Sequence, residues 1–218
     1  MPKEPRRATI EATMQKKHSF TPFFLLPFLS FLLAGCSQDD AVSELCFIGD
    51  SITHQWDVES FFPGYIIHKH AVNGAKLRDI QKWDISDCKG RWTIMLMGTN
   101  DIGHIGINQE NAQDTIQSFA HAYVQQAQVL QAEFLLAISI LPRHYKGENE
   151  IDHNRLIEKQ NQLLADSLKN TNLRFKFVDA YSLFLDQDYT INEDLFRDGL
   201  HPRPEGYEIL SNAIRREL

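Results

Sequence analysis

The chain has 218 residues, an ordinary apolar fraction of 43% and a formal net charge of −7, which suits one domain with a sizeable core. The charge is uneven: residues 1–35 carry five Lys+Arg against two Asp+Glu, and the remainder carries 17 against 27, a net of −10. A domain that acidic, with no basic patch, is a poor candidate for gripping nucleic acid or anionic lipid by charge, and no repeat or low-complexity tract points to a solenoid or a disordered chain.

At the N-terminus, Lys16-Lys17 precede an apolar run from Phe20 to Leu33, closed by Leu33-Ala34-Gly35-Cys36. A basic region, an apolar core and a small-residue cleavage site describe a secretory leader. The run is short of the roughly 20 residues needed to span a bilayer, and Pro22 and Pro27 disfavour a stable helix within it. Its ending resembles the bacterial lipoprotein signal; the other reading is a plain leader with an incidental cysteine. The resemblance implies a leader over 1–35, lipidation of Cys36, a polar tether over 36–44, and a bacterial cell-envelope location. Ser37, where an aspartate would retain the protein, points to the outer membrane. Met14 gives a more ordinary leader than Met1 and reads as the start. At roughly 3.4 Å per extended residue the tether reaches under about 30 Å, so the domain over 45–218 would work close to a membrane, held there by acyl chains.

Leu45–Ile48 is a short apolar run ending in Gly49-Asp50-Ser51: a buried strand that delivers a serine to the tip of a sheet. That serine is either a helix cap or a nucleophile, since Ser, Asp and Thr are also preferred caps. Residues 52–62 read as helix-rich, ended by Pro63-Gly64. Residues 65–72 form a second strand, closed by Asn73-Gly74. Leu77, Ile80 and Trp83 stand at helical spacing. Residues 92–97 are a third strand, ending in Gly98-Thr99-Asn100-Asp101; its apolar run without alternation predicts burial on both faces, as in a parallel sheet. Ile116 to Leu130 mark a long amphipathic helix, 134–141 a fourth strand stopped by Pro142, Leu156 to Leu168 another helix, and 173–178 a fifth strand. An irregular stretch reaches Asp198-Gly199-Leu200-His201-Pro202, and Pro204 opens a last helix at a favoured first-turn position. Strands alternating with helices five times predict a three-layer α/β/α domain around a parallel sheet.

The residues with chemistry fall at the carboxyl ends of those strands, where open α/β sheets bind ligands. Ser51 follows strand one, Gly74 strand two, Asn100 strand three, and Asp198 and His201 strand five. Acyl transfer needs this set. A serine hydroxyl needs a base; His201 can serve, oriented by Asp198. The tetrahedral intermediate needs donors, available from the N–H of Ser51, the N–H of Gly74 and the amide of Asn100. Each stretch alone also reads as an ordinary turn or cap. Asp50 and Asp101 read as scaffold hydrogen-bonders. Trp56 reads as a wall of an acyl pocket or as core, and Arg143 as a contact to substrate oxygens or as a partner for a surface acid. His68 and His70 share a face of strand two, which suggests a metal pair or plain edge-strand polarity. Cys46 and Cys88 either pair in an oxidising compartment or remain separate thiols; neither is placed for catalysis.

Phe47-Ile48-Gly49-Asp50-Ser51, Asn73-Gly74, Gly98-Thr99-Asn100-Asp101 and Asp198-Gly199-Leu200-His201-Pro202 together resemble, in order, the four blocks of the SGNH (GDSL-type) hydrolases. Ile52 stands where leucine is usual. The resemblance spans 45–218 and implies a flavodoxin-like five-stranded sheet of order 2-1-3-4-5, esterase activity, and no metal or other cofactor. It assigns Ser51 as nucleophile and oxyanion donor, Gly74 and Asn100 as oxyanion donors, and His201 with Asp198 as base and orienter. No Gly-x-Ser-x-Gly elbow surrounds Ser51, against an α/β-hydrolase fold. Gly-Asp-Ser-Ile-Thr-x-x-Trp with Leu-Pro-Arg is similar to the platelet-activating-factor acetylhydrolase-like and carbohydrate-esterase branch. The resulting expectation is removal of acetyl or other short acyl groups from a small-molecule or glycan ester. A lysophospholipase or thioesterase acting on membrane-derived substrates, and a non-catalytic carbohydrate-binding relic, are the alternatives.

Overall fold

The computed structural model describes residues 43–144 and 150–218. The expected leader, Cys36, the alternative starts Met1 and Met14, and the tether up to residue 42 lie outside the described residues.

Five strands build one sheet: β1 (Glu44–Gly49), β2 (Ile66–Ala71), β3 (Trp92–Leu96), β4 (Phe134–Ile138) and β5 (Phe175–Val178). All neighbours are parallel and the order is β2-β1-β3-β4-β5, the order implied by the family resemblance. The apolar runs are buried on both faces, as their lack of alternation predicts. Cys46 and Ile48 enter one core with Met95 and Ala137, while Leu45 and Phe47 enter the other with Ile94 and Leu136. Helices α4 (Ala112–Leu130) and α5 (Glu150–Lys169) cover the first face through Ile116, Phe119, Tyr123, Leu156 and Leu164. The second is covered by α6 (Pro204–Arg215), through Tyr207, Leu210 and Ile214, and by Ile52 and Val58 of the one-turn helices α1 (Ser51–His54) and α2 (Val58–Phe61). One further turn, α3 (Thr99–Ile102), follows β3.

Four sequence expectations change. Glu44 already pairs within β1, so the strand begins inside the expected tether. The helix-rich stretch over 52–62 is two separate turns, because the chain breaks at 55–57 to sink Trp56 into the core at 1% exposure. Leu77–Lys82 is a 3₁₀ run; the period of three in Leu77, Ile80 and Trp83 matches three residues per turn better than 3.6. β4 stops at Ile138, and Ile140 instead bonds the Asn161 side chain through both its N–H and its carbonyl, at 2.8 and 2.9 Å.

Cys46 and Cys88 form a disulfide across 42 residues, joining β1 to the 3₁₀ turn Ser86–Cys88. Beside it, His68 lies between Glu44 (2.6 Å) and Asp87 (3.0 Å), and His70 bonds Asp87 (2.7 Å). The two histidines of the edge strand are thus satisfied by carboxylates, which Arg91 also engages through Glu44 at 2.7 Å.

Candidate active site

β1 ends at Gly49, and Asp50 caps the turn that follows: its Oδ1 accepts from the Ile52 N–H at 2.9 Å. Ser51 is therefore the first residue of α1, 7% exposed at the carboxyl edge of the sheet. A Cβ on Gly49 would collide with the Thr53 side chain, so the tight exit from β1 requires glycine there.

The loop after β5 brings its residues to the same point. Asp198 Oδ1 accepts the N–H groups of Leu200 (3.1 Å) and His201 (2.8 Å), the local turn that aspartate favours. Arg197 N–H donates to the His201 carbonyl at 2.8 Å and closes that turn. His201 Nδ1 then lies 2.8 Å from Asp198 Oδ2, and its Nε2 lies 3.0 Å from Ser51 Oγ, across 150 residues of sequence. Partial burial opposes ionisation of Asp198. The bonds from the His201 backbone and imidazole, the imidazole's charge and the Leu200 N–H outweigh it and hold the carboxyl below its ordinary range. An ionised Asp198 can only accept, so in the neutral imidazole Nδ1 carries the proton and Nε2 faces the Ser51 hydroxyl as an acceptor. That is the arrangement in which an imidazole can take a proton from serine.

On the other side of Ser51, Asn100 sits in the first turn of α3. Its Nδ2 donates to the Ala75 carbonyl at 3.0 Å and lies 3.5 Å from Asp50 Oδ2. It thereby touches the chain neighbours of both Gly74 and Ser51. The 3.5 Å contact is at the limit of a hydrogen bond, so the second amide hydrogen is available to a better acceptor. Gly74 is exposed in a left-handed conformation, φ 72°, with open space where a side chain would stand. Among the described residues neither the Ser51 nor the Gly74 N–H has a hydrogen-bond acceptor. Three donors near one serine can stabilise a developing oxyanion.

Behind these groups lie a buried acid, Asp50, and a half-buried one, Asp101. Burial pushes Asp50 up to about 7, against the pull of the Ile52 N–H and with help from the charge of Asp101. Asp101, whose carboxylate accepts from the Leu77 N–H at 3.2 Å, is pushed up to about 6, again chiefly by burial.

Of the alternatives open for Trp56, the inward one holds, and Arg143 is buried as well. Trp56 does not wall an acyl pocket: it packs edge-on against Phe47 and stacks on Tyr207, and its indole N–H donates to Ser211 Oγ at 3.2 Å. Arg143 does not reach into substrate space but turns inward. It is 4% exposed, and its guanidinium donates to the Thr99 carbonyl and to the Gly103 carbonyl. Sequence reasoning passed over Tyr207, whose hydroxyl donates to the Ile52 carbonyl at 2.9 Å and backs α1 from α6. Its only sequence signal is an apolar stripe position, which does not disclose a polar contact.

The model of the GDSL-like lipase/acylhydrolase family matches residues 47–209. Among solved structures, a GDSL-like lipase from Bacteroides thetaiotaomicron is similar at 22% identity and a TM-score of 0.61, over 80% of this chain and 87% of that one. An acetylxylan esterase from Geobacillus stearothermophilus is similar at 17% identity and a TM-score of 0.61, over 80% and 93%. These likenesses concern the fold. Comparison with curated proteins finds no match.

Proposed function

The chain belongs to the GDSL-like lipase/acylhydrolase family and is an ester hydrolase, and from that membership we propose that Ser51 is its nucleophile, His201 its base and Asp198 the orienter of that base. Ser51 Oγ attacks the ester carbonyl while its proton passes to His201 Nε2. The carbonyl oxygen becomes an oxyanion held by the N–H groups of Ser51 and Gly74 and by Asn100 Nδ2. Collapse expels the alcohol, which takes the proton from His201, and leaves an acyl-enzyme. Water, deprotonated by His201, then adds to the acyl carbon and releases the acid and Ser51. The observation that carries this reading is the unbroken relay from Asp198 through His201 to Ser51, at 2.8 and 3.0 Å.

The substrate in this reading is a short acyl ester, acetyl first, of a carbohydrate or similar hydrated alcohol. Gly74 is exposed and Asp198 half-exposed, so the rim suits a small acyl group on a large alcohol better than a long chain. The acetylxylan esterase of the same fold supports it. The test compares p-nitrophenyl acetate with a long-chain p-nitrophenyl ester. Wild type should turn over the acetate, and Ser51→Ala should lose both turnover and labelling by a serine-reactive phosphonate. Preference for the long chain would favour the lysophospholipase alternative. A wild-type protein that is neither active nor labelled would favour a binding role.

The leader belongs to the same proposal. Cys36, lipidated, holds the domain at the bacterial outer membrane, supported by the Leu33-Ala34-Gly35-Cys36 ending and by only seven residues between Cys36 and β1. Cys36→Ala should move the protein from the detergent phase to the aqueous phase on Triton X-114 partitioning. Unchanged partitioning would refute the anchor.

A further inference from the structure

We propose that Arg143 is a positioning residue of the oxyanion hole: its buried guanidinium ties the two ends of α3 together and so sets the direction in which Asn100 presents its amide. This rests on the reading of Asn100 as an oxyanion donor.

A single helical turn has little stability of its own, because nucleation fixes several residues for one hydrogen bond. Helix α3 is such a turn, four residues long, and it lies between two glycines of positive φ, Gly98 (130°) and Gly103 (62°). Its Gly98 cap has no side chain, and among the described residues no cap N–H bond closes its C-terminal end. Carbonyls at a helix end need donors from elsewhere. Arg143 supplies them. Nη1 donates to the Thr99 carbonyl at 3.1 Å, with Thr99 Oγ1 at 3.4 Å, and Nη2 donates to the Gly103 carbonyl. The first of these carbonyls belongs to the residue before Asn100, and the second to the cap that ends the turn.

Arg143 is itself held. Its backbone N–H donates to Asn154 Oδ1 and its carbonyl accepts from Asn154 Nδ2, both at 2.9 Å. Asn154 lies on α5. A continuous chain of polar contacts therefore runs from a 20-residue helix, through a buried guanidinium, to the turn that carries Asn100. On the far side Asn100 is fixed by the Ala75 carbonyl. A planar fork with two separated donors can brace both carbonyls at once; the single ammonium of lysine cannot. Packing alone would not select this residue, because a buried cation carries a desolvation cost that an apolar side chain avoids.

The test is a double-mutant cycle on p-nitrophenyl acetate hydrolysis, with far-UV circular dichroism and thermal unfolding measured on each variant. Asn100→Ala should lower kcat by about 10²–10³-fold. Arg143→Ala should lower kcat by at least ~10-fold with KM within about twofold, the pattern of a contact made in the transition state. Arg143→Lys, which keeps the charge but reaches one carbonyl, should fall between wild type and Arg143→Ala. In the Asn100→Ala background, Arg143→Ala should cost less than about threefold, because its effect passes through the missing amide. The same loss with and without Asn100, wild-type kcat in Arg143→Ala, or loss of the fold in both Arg143 variants would each overturn the proposal, the last by making Arg143 a core residue only. Failure of the underlying reading looks different: kcat would be unchanged in Asn100→Ala or retained in Ser51→Ala, whatever Arg143 does.

Discussion

Asp50, the residue before Ser51, combines two jobs that pull its chemistry apart. As the cap of α1 it accepts a hydrogen bond from Ile52, which favours the carboxylate, but it is 1% exposed, which favours the acid. Burial wins, and the carboxyl is pushed up to about 7. The folded protein therefore keeps this proton between about pH 4 and pH 7, where the unfolded chain has released it. The stability this group contributes is complete below the ordinary carboxylate range and is lost as pH rises to 7. Asp50→Asn keeps an acceptor for the Ile52 N–H and cannot ionise. Its unfolding free energy relative to wild type should rise between pH 4 and pH 7, by on the order of 1–4 kcal/mol. Urea denaturation across that range checks it; parallel curves for the two proteins would refute it. Residue by residue, the clustered part of the site was readable in advance. Gly-Asp-Ser and Asp-x-x-His place their partners within a few positions, so local turn chemistry determines the geometry. Trp56 and Arg143 were not readable, because nothing local says whether a loop side chain turns outward to substrate or inward to the core.

At the scale of elements, periodicity predicted the long helices and the buried strands well, and the single turns poorly. α4 and α5 each bury a stripe along five turns or more, and many positions agree on one period. The stretch after β1 holds too few residues to separate one interrupted helix from two turns, and the interruption is set by Trp56 seeking the core. Gly98 is the clearest case of an element dictated from outside. Its φ is 130°, and a Cβ there would come within 2.6 Å of both Phe119 on α4 and Ile140. The Gly-Thr-Asn stretch is recognisable in sequence, but its backbone angle and the approach of Phe119 and Ile140 explain why its first position carries no side chain.

At the scale of the whole molecule, the described residues form one parallel sheet whose carboxyl edge collects residues from positions 51 to 201, and whose opposite end carries the Cys46–Cys88 bond. Among the described residues no helix is long and apolar enough to cross a membrane. The disulfide spans 42 residues of sequence, and a loop of that size removes about 4 kcal/mol of chain entropy from the unfolded state. Cys46→Ala with Cys88→Ala should lower the unfolding free energy by roughly 2–4 kcal/mol. Esterase activity per folded molecule should hardly change, because Cys46 lies roughly 15 Å of strand away from Ser51. Denaturant titration and active-site labelling measure the two effects separately; unaltered stability would mean that the bond does not form in solution.

The amino-acid sequence by itself determined the alternation of strands and helices, the burial of the central strands β1, β3 and β4 on both faces, and the short-range pieces of the site, since each depends on periodicity or on turn chemistry within a few residues. With the four motif blocks in order, it also led to the sheet order and the catalytic assignment. Only the tertiary structure decided that Cys46 meets Cys88, that Trp56 and Arg143 face inward, and that His201 stands 3.0 Å from Ser51. Those contacts join residues dozens to 150 positions apart, and the distance between such residues is set by how the layers pack, which no local pattern encodes.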